Sequence, residues 1–367
     1  MRILFDPQIF SLQAFGGISR YFVELAKSIN KIQGESAEIF APLHINRHLD
    51  EYFSTGCHEH ALNAILSPSS SSLKKHALLA GNYFSLKKYL RHANFEILHH
   101  TYYWPMPLKG LKGARVTTIH DMVEEIFRQQ GVKSYLKKKS AREADHVICV
   151  SENTKRNLIE KFDIPASKIS VVYLGRPAVP ARSLSFRPPT SKPYILYVGR
   201  RGGYKNFSGL LRALALTERV RKDFDLVCFG GGNFTAEERT LMKQFNLDEP
   251  KLMTDEAGDQ LLYDTYHQAT ALVYPSLYEG FGLPPLEAMA IGVAVICSSH
   301  SSIPEVVGDA GEYFDPAEPE SLRYALESVL YSEEKRRELV QRGQVRAGFF
   351  SWDKCARDTL SVYKSLS

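Results

Sequence analysis

The sequence predicts an α/β protein of two domains, each a parallel β-sheet covered by helices. Short apolar runs alternate with helix-length polar segments along the chain, and strands that are apolar on both faces are typical of buried parallel sheets. The runs fall into two series of six, separated by a proline-rich gap. The first series covers residues 2–6, 37–42, 96–101, 115–121, 146–151 and 170–174; the second covers 194–200, 225–231, 251–253, 271–276, 293–298 and 311–316.

Chain length agrees with two domains, because 367 residues are long for one domain and sufficient for two hydrophobic cores. Residues 175–193 hold five prolines and no helical or strand periodicity, which is typical of an extended connector. We therefore expect a first domain over residues 1–178 and a second over 190–349. A tail at about residues 350–367 has a helical pattern that opens with a capping serine, Ser351, and is expected to pack back onto the first domain.

Composition is that of an ordinary globular protein, with 44% hydrophobic and 24% charged residues. No apolar run approaches the roughly 18 to 20 residues that a membrane-spanning helix needs. The first ten residues lack the basic, apolar and small-residue order of a signal peptide and are interpreted as a first strand. The five cysteines are scattered without a C-x-x-C pair, so reduced thiols and a cytoplasmic location are expected.

Positive charge is concentrated in the first half of the chain. Residues 1–180 carry 24 Lys and Arg against 16 Asp and Glu, a net charge of +8, and the remainder carries 22 against 25, a net charge of −3. Residues 67–92 hold five basic residues and no acid. One helical face of this stretch carries Leu79, Tyr83, Leu86 and Leu90, and the other carries Lys74, Lys88 and Arg91. Two interpretations stay open, a surface helix that docks on its own domain and an interfacial helix that rests on anionic lipid.

Candidate binding residues lie in the loops after predicted strands, where open parallel sheets bind their ligands. Gly16 and Gly17 follow the first strand and precede a periodic helix, so bare backbone meets a helix N-terminus suited to a diphosphate. The spaced third glycine of a dinucleotide fingerprint is missing, which weakens an NAD-binding interpretation of the same loop. His120 and Asp121 end the strand of residues 115–121. That position makes His120 a candidate ligand residue, although a lone histidine is more often structural.

A basic loop follows the first strand of the second series and contains Arg200, Arg201 and Lys205. Two or three cations beside free backbone amides can hold a pyrophosphate without a metal, because guanidinium and ammonium groups neutralise the charge of the leaving group. The alternative is a solvated basic turn. A third glycine-rich loop contributes Gly230 with lower specificity, since its glycines also permit a sharp turn.

Two glutamates frame the most informative segment, residues 274–288, with the sequence YPSLYEGFGLPPLEA. Glu279 lies in the loop after a predicted strand, and Glu287 lies in an early turn of the helix that Pro284 and Pro285 open. The Gly-Phe-Gly between them leaves backbone amides accessible to a sugar or phosphate. Each carboxylate can bind vicinal hydroxyls, one of a ribose and the other of a hexose, which fits two sugars joined through a diphosphate. The alternative is a solvated Glu279 with Glu287 interacting with the helix dipole.

This arrangement resembles the retaining glycosyltransferases of family 4. The resemblance rests on the E-x7-E motif from Glu279 to Glu287, on YVGR and a lysine upstream, and on GVAVICSSHSSIPEVVGDAGEYFDP downstream. The Gly-Gly loop, the IHD strand end and VSENTK fit in the same order, so essentially the whole chain is covered. The resemblance implies the GT-B fold, in which two Rossmann-like domains with parallel sheets face each other across an interdomain cleft.

The resemblance also implies roles for individual residues. Glu287 matches the glutamate that binds the donor ribose, and Glu279 matches the one near the donor hexose. Arg200 and Lys205 match the pair that stabilises the leaving diphosphate, and a one-residue shift would give this role to Arg201. The histidine that contacts the donor sugar is matched by His120. The other donor-binding positions expected are Gly16, Gly17, Gly230, Phe281, Gly282 and Leu283.

The function implied is transfer of a hexose from a nucleotide-sugar with retained anomeric configuration. The opening ILFDPQIFSLQAFGGISRYFVEL is most similar to bacterial enzymes of O-antigen and other surface-polysaccharide synthesis, many of them mannosyltransferases, so GDP-mannose is the favoured donor. The acceptor is expected to be a lipid-linked or other glycan, with peripheral contact to an anionic membrane at its inner face. Neither a metal nor another cofactor is expected, and closure about residues 175–193 would bring the loops of the two domains together.

Competing interpretations have weaker sequence signals. A metal-dependent transferase would need a D-x-D motif, and the one present, Asp223 to Asp225, precedes its strand and is interpreted as a turn and a strand start. The histidine pairs at 58 and 60 and at 99 and 100 lack a third ligand at a spacing typical of zinc sites. A nucleotide-sugar epimerase or hydrolase of the same fold and a non-catalytic sugar-nucleotide-binding protein remain alternatives. Nothing indicates nucleic-acid binding.

Overall fold

The computed structural model describes residues 1–54, 64–65, 72–104, 113–127, 131–253 and 259–366. The chain forms two compact units, unit 1 with Met1–Gly175 and Ser351–Ser367, and unit 2 with Arg176–Phe350. Each unit contains one six-stranded sheet in which every neighbouring pair of strands is parallel. The predicted α/β class is confirmed.

Unit 1 is built from eight described strands and the helices that connect them. Its strands are β1 (Arg2–Phe5), β2 (Ser36–Ile39), β3 (Leu43–His44), β4 (Ala64–Ile65), β5 (Ile97–His100), β6 (Ala114–Ile119), β7 (His146–Cys149) and β8 (Ile169–Val171). Its helices are α1 (Gln8–Leu12), α2 (Gly17–Ile29), α3 (Arg47–Ser54), α4 (Ser72–Tyr89), α5 (Val123–Phe127), α6 (Val132–Glu143) and α7 (Glu152–Phe162), with the C-terminal α16 (Trp352–Lys364). The main sheet has the order β2-β1-β5-β6-β7-β8, and β3 pairs with β4 separately. Because the chain leaves β1 first toward β2 and later returns on its other side at β5, the carboxyl ends of β1 and β5 form a topological switch point.

Unit 2 has six described strands in the order β11-β10-β9-β12-β13-β14. They are β9 (Tyr194–Val198), β10 (Asp225–Phe229), β11 (Lys251–Met253), β12 (Ala271–Tyr274), β13 (Ala294–Ser298) and β14 (Gly311–Phe314). The helices are α8 (Phe207–Ala215), α9 (Glu218–Asp223), α10 (Ala236–Gln244), α11 (Asp259–Gln268), α12 (Leu283–Ile291), α13 (Ile303–Val307), α14 (Pro319–Leu330) and α15 (Glu333–Ala347). Numbered within the unit, the strand order is 3-2-1-4-5-6, which is the order of doubly wound nucleotide-binding sheets and places the switch point between β9 and β12.

The twelve predicted strands all occur, which confirms the assignment made from apolar runs. The pair β3 and β4 is missing from that prediction because two residues are too few to show a periodicity. The connector of residues 175–193 contains no helix or strand. It is fixed to α11, since the Ser183 N–H donates to the Asp264 carboxylate at 2.7 Å and the Gln260 amide donates to the Ala181 carbonyl at 3.1 Å.

The basic stretch docks on its own unit, as the first of the two interpretations predicted. Leu86 and Leu90 of this stretch form a buried cluster with Leu4 and Leu98 of β1 and β5. The apolar face of α4 is therefore occupied by the sheet and does not face lipid. Residues 67–71 and the side chain of Lys74 lie outside the described residues. Within the described part of the chain, no helix has both the length and the apolar character needed to span a membrane.

The C-terminal helix α16 packs on α2 of unit 1. The Ser351 hydroxyl accepts a hydrogen bond from the Lys354 N–H at 3.1 Å, so the predicted serine cap is present. Tyr363 of α16 is fully buried, and its hydroxyl lies 2.5 Å from Nδ1 of His99 in β5. The other ring nitrogen of His99 lies 2.8 Å from the Thr118 hydroxyl in β6. Burial, and then the neighbouring histidines, lower the pKa of His99 well below its usual value, so this network holds a neutral imidazole.

Tyr363→Phe tests whether this network stabilises the fold. Removal of the hydroxyl leaves Nδ1 of His99 buried without its partner, so we expect the free energy of unfolding to fall by about 1 to 3 kcal/mol. Urea denaturation followed by circular dichroism measures the change. Tyr324→Phe is the matched control, because Tyr324 is exposed; equal stabilities of the two variants would contradict the role of the network.

Candidate active site

An ion pair occupies the switch point of unit 2. Lys205 lies in the loop after β9, Glu279 lies in the loop after β12, and Nζ of Lys205 is 2.7 Å from Oε1 of Glu279. The two side chains keep 17% and 11% of their surface exposed. Two of the four predicted catalytic residues, Lys205 and Glu279, are thus brought together although 74 positions separate them in the sequence. Because strands β9 and β12 are adjacent and parallel, their following loops meet at one edge of the sheet.

Tyr274, the last residue of β12, supports this pair. Its hydroxyl accepts a hydrogen bond from the Lys205 ammonium at 3.4 Å. Burial, and then the charge of Glu279, raise the pKa of Tyr274 well above its usual value, so the phenol stays neutral. Sequence reasoning did not single out Tyr274, because its place at the end of an apolar strand reads as core.

Two serines fix the backbone of the Glu279 loop. The hydroxyl of Ser301 accepts from the Glu279 N–H at 2.8 Å. The hydroxyl of Ser302 donates to the carbonyls of Glu279 and Phe281, at 2.9 and 3.0 Å. These serines belong to the run SSHSS, for which the sequence alone predicts no role. The structure shows that this run holds the carboxylate loop in place.

The N-terminus of α12 presents backbone amides beside this loop. Gly282 has φ 109°, a left-handed conformation that favours glycine. Pro284 and Pro285 lie in the first turn of the helix and have no N–H. Among the described residues, the amides of Gly282 and Leu283 have no hydrogen-bond acceptor. Their donor-binding role stays a prediction.

Glu287 is buried one turn into α12, with 5% of its surface exposed. The hydroxyl of Tyr266 in α11 donates to Oε2 of Glu287 at 3.1 Å. Burial, and then the charge of Glu287, raise the pKa of Tyr266 well above its usual value, so the phenol remains a donor. The carboxylate therefore has a fixed orientation at the start of the helix. Phe281 packs its ring against Phe350.

Arg201 is a structural residue of the β10 loop. Its side chain is buried, and its guanidinium donates to the carbonyls of four consecutive residues, Gly230, Gly231, Gly232 and Asn233, at 2.9, 3.4, 2.7 and 2.9 Å. It also pairs with Glu238 at 3.0 Å and lies 4.4 Å from the centre of the Phe234 ring. A Cβ atom added at Gly231 would approach Nη1 of Arg201 to 2.9 Å, so this cradle requires a glycine. The donor-binding role expected for Arg201 requires a guanidinium that is accessible to phosphate. These contacts instead bury the guanidinium and occupy it with groups of the protein.

Arg200 lies in a solvent-exposed environment, unlike Arg201. It is exposed, and its guanidinium has no hydrogen-bond or ion-pair partner among the described residues. A cavity of about 590 Å³ beside it is lined by both arginines and by Gly202, Gly203, Phe207 and Gly232, among others. The predicted role of Gly230 receives less support, because its N–H donates to the Met253 carbonyl at 2.9 Å and its own carbonyl accepts from Arg201.

Unit 1 carries the remaining predicted residues. Gly17 is exposed and is the first residue of α2, and Gly16 precedes it. The Gly16 carbonyl accepts from the Ser19 hydroxyl and the Arg20 N–H, at 3.0 and 3.1 Å, which closes the first turn. A Cβ atom at Gly16 would lie 2.7 Å from the amide end of the Gln13 side chain, so Gln13 would have to move to admit a larger residue.

His120 follows β6 directly. Its N–H donates to the Tyr103 hydroxyl at 3.2 Å, and its ring packs edge to face on Tyr21 at 5.1 Å. Nε2 of His120 is buried and has no hydrogen-bond partner among the described residues. Burial lowers the pKa of His120 to about 4, with a smaller contribution from Lys137, whereas Asp121 opposes the shift. The imidazole is therefore neutral at neutral pH.

The alternative metal motif lies at the opposite edge of its sheet. Asp225 begins β10 and Asp223 ends α9, where its carboxylate accepts a hydrogen bond from Tyr331 at 2.9 Å. The expected turn is a helix end, and the strand start is as predicted. Across the residues that the structure describes, no group of three or more His, Cys, Asp or Glu side chains is arranged to hold a metal ion. Residues 58 and 60 lie outside the described residues.

Comparison with known proteins identifies the family. Residues 15–178 match the family described as Glycosyltransferase Family 4, and residues 183–346 match Glycosyl transferases group 1. The chain is 32% identical over 268 residues to the O-antigen chain mannosyltransferase B of Escherichia coli, a match that covers 68% of this chain and 70% of the relative. The chain belongs to glycosyltransferase family 4.

Two further comparisons cover nearly the whole glycosyltransferase. It is 25% identical over 326 residues to the O-antigen chain mannosyltransferase RfbU of Salmonella typhimurium, covering 85% of this chain and 87% of that protein. The crystal structure of Anabaena Alr3699/HepE in complex with UDP and glucose superimposes with a TM-score of 0.73 at 17% identity, covering all of both chains. The predicted GT-B fold is confirmed by this structural similarity together with the two parallel six-stranded sheets.

The contrast between the two adjacent arginines gives a stability prediction. Arg201→Met removes the ion pair to Glu238 and leaves the buried Gly230 carbonyl without its donor, so we expect a loss of about 3 kcal/mol in the free energy of unfolding. Arg200→Met is the matched control and should change that free energy by less than about 0.5 kcal/mol. Urea denaturation of the full chain measures both. A larger loss for Arg200→Met than for Arg201→Met would reverse the assignment.

Proposed function

We propose that this glycosyltransferase moves a hexose from a nucleotide-sugar to a glycan or lipid-linked acceptor, with retention of anomeric configuration, in the synthesis of a bacterial surface polysaccharide. The observation that carries the proposal is the Lys205 and Glu279 pair at the switch point of unit 2. Relatives named as O-antigen chain mannosyltransferases favour mannose, and hence GDP-mannose as the donor.

Lys205 and Arg200 are suited to a diphosphate leaving group. Their loop follows the first strand of a doubly wound sheet, where phosphates bind. The ammonium of Lys205 is held at 2.7 Å by Glu279, and Arg200, five residues earlier in the same loop, is exposed. As the bond from the sugar to the phosphate breaks, these cations stabilise the charge that develops on the leaving oxygen. This supply of positive charge is why we propose a reaction that needs no metal.

Glu287 and the start of α12 are suited to the sugars of the donor. The Glu287 carboxylate, oriented by Tyr266, binds the ribose hydroxyls. The amides of Gly282 and Leu283, with the backbone of Phe281, face the donor at the helix N-terminus, where partial positive charge favours phosphate or sugar oxygens. Glu279 accepts from a hydroxyl of the hexose while it orients Lys205.

Residues of unit 1 complete the proposal. The exposed amide of Gly17, preceded by Gly16, donates to the diphosphate at the N-terminus of α2. Neutral His120 binds the donor sugar through Nε2, which lacks a described protein partner. An imidazole with a lowered pKa forms this hydrogen bond without adding a charge close to the reacting carbon.

The reaction we propose passes through an oxocarbenium-like state. The acceptor hydroxyl attacks the face that the diphosphate leaves, and a phosphate oxygen takes its proton, so the configuration is retained. No carboxylate nucleophile of the glycosidase type is required. Glu279 is not assigned that role, because its Oε1 accepts a hydrogen bond from the Lys205 ammonium.

A donor panel tests the proposal. We expect GDP-mannose to raise the thermal unfolding temperature in excess EDTA more than UDP-, dTDP- or ADP-sugars do, because binding to the folded state alone stabilises it.

Lys205→Met and Glu279→Gln should each lower transfer by about 100-fold or more, since each removes stabilisation that is needed as the leaving group departs.

Lys192→Met and Glu249→Gln, at exposed residues of unit 2, are the matched controls for the two site variants. Both control variants should catalyse transfer at the wild-type rate. Donor binding that appears only after a divalent cation is added would contradict the metal-independent mechanism. Full transfer by both site variants would refute the site, and sugar release that no acceptor accelerates would indicate the epimerase or hydrolase alternative.

Peripheral membrane contact is proposed for the outer face of α4. Phe84 is 69% exposed there, and Lys87, Lys88 and Arg91 are exposed on the same unit. An exposed ring beside cations suits an anionic lipid surface, which attracts each basic residue by about 1 kcal/mol. Lys87→Glu with Lys88→Glu should reduce co-sedimentation with phosphatidylglycerol vesicles at least fivefold. Lys192→Glu in unit 2 is the control, and unchanged sedimentation of the double variant would remove α4 from the membrane contact.

A further inference from the structure

A fully buried carboxylate lies at the switch point of unit 1. Asp6 follows β1 directly and is completely buried. Its Oδ1 accepts from the Thr101 N–H and hydroxyl, at 2.9 and 2.7 Å, and from the Gln8 N–H at 3.3 Å. Its Oδ2 accepts from the Gln8 amide at 2.7 Å and contacts Nδ1 of His100 at 2.8 Å. Asp6 thereby joins the ends of β1 and β5.

Asp6 determines which nitrogen of His100 carries the proton. A carboxylate only accepts hydrogen bonds, so Nδ1 must be the N–H donor. In the neutral imidazole, Nε2 then presents a lone pair. The His100 side chain keeps 12% of its surface exposed, and Nε2 has no hydrogen-bond partner among the described residues. The pair therefore offers one fixed hydrogen-bond acceptor at the carboxyl edge of the sheet.

Trp104 is attached to the same network. The buried side chain of Gln8, held by Asp6, accepts a hydrogen bond from the backbone N–H of Trp104 at 2.7 Å. Trp104 remains 44% exposed, with the His76 ring at a centroid distance of 6.0 Å from the indole. An exposed aromatic ring that is fixed through its backbone is an apolar platform with one polar end.

We propose that His100 and Trp104 form an acceptor-sugar subsite. A hydroxyl of a neutral sugar donates to Nε2 of His100, and the C–H face of the same sugar stacks on the indole of Trp104. Asp6 and Gln8 act as positioning residues that orient these two groups. The inference rests on the proposed function and deepens it by assigning residues of this chain to the acceptor.

The chemistry favours a sugar over a bare lipid phosphate. A phosphate dianion has no hydrogen to donate to Nε2, and the negative charge of Asp6, 2.8 Å from the same imidazole, disfavours a second anion. A sugar hydroxyl supplies the missing donor without charge. The subsite therefore predicts that this glycosyltransferase extends an existing glycan.

Kinetics with separate donor and acceptor readouts test the subsite. The probes are GDP-mannose and a panel of p-nitrophenyl hexosides, the α-mannoside first. His100→Ala and Trp104→Ala should each raise the KM for the hexoside about tenfold, the effect of one lost hydrogen bond or stacking contact. The KM for GDP-mannose and its slow hydrolysis without acceptor should stay within twofold of wild type. His100→Gln, which keeps an acceptor oxygen, and Trp104→Phe, which keeps a ring, should recover part of the loss.

The controls are His92→Ala and Tyr135→Ala, exposed residues of the same unit that should leave all three quantities unchanged. For Asp6→Asn, the free energy of unfolding is measured in addition to the kinetics, because loss of this buried carboxylate can unfold unit 1. Variants of His100 and Trp104 that melt earlier but keep the wild-type KM for the hexoside would show a purely structural role and overturn the inference. So would a wild type that hydrolyses GDP-mannose yet glycosylates polyprenyl phosphate and no hexoside. A wild type that neither binds nor hydrolyses any nucleotide-sugar would instead refute the proposed function.

Discussion

The candidate donor site depends on one ion pair, Lys205 with Glu279, and that pair depends on strand order. The chain leaves β9 toward β10 on one side and later returns to β12 on the other side, so the loops after these two parallel strands diverge and leave a crevice between them. A lysine on one loop and a glutamate on the other then meet at 2.7 Å with most of their surface covered. Removing either partner from such a setting leaves a poorly solvated charge, so each of the two side chains depends on the other.

Buried polar groups around the candidate sites have fixed protonation states. Tyr274 and Tyr266 stay neutral beside Glu279 and Glu287, because burial and the adjacent negative charge both raise the pKa of a phenol. His120 and His99 stay neutral for the opposite reason, since burial lowers the pKa of an imidazole. Hydrogen-bond roles are therefore settled before a ligand arrives, which reduces the reorganisation that the reaction needs.

The sequence predicts the strands well and the roles of neighbouring residues poorly. Twelve apolar runs suffice for the sheets, because a buried parallel strand is apolar on both faces. Arg200 and Arg201 cannot be separated by any pattern, since only the fold buries one guanidinium among carbonyls and exposes the other. The link between Asp6 and His100 spans 94 positions and arises only when β1 pairs with β5. Motifs report local conformation, whereas these contacts are set by topology.

The two histidines that end β5 show how one strand can serve fold and site together. Successive side chains of a strand point to opposite faces, so His99 and His100 cannot share an environment. His99 turns toward α16 and bonds to Tyr363, which ties the C-terminal helix to the sheet of unit 1. His100 turns toward Asp6, which fixes its tautomer and leaves Nε2 for a ligand. Anchoring the first imidazole in the core restrains the backbone of the second, so the helix that closes the chain also steadies the proposed acceptor subsite.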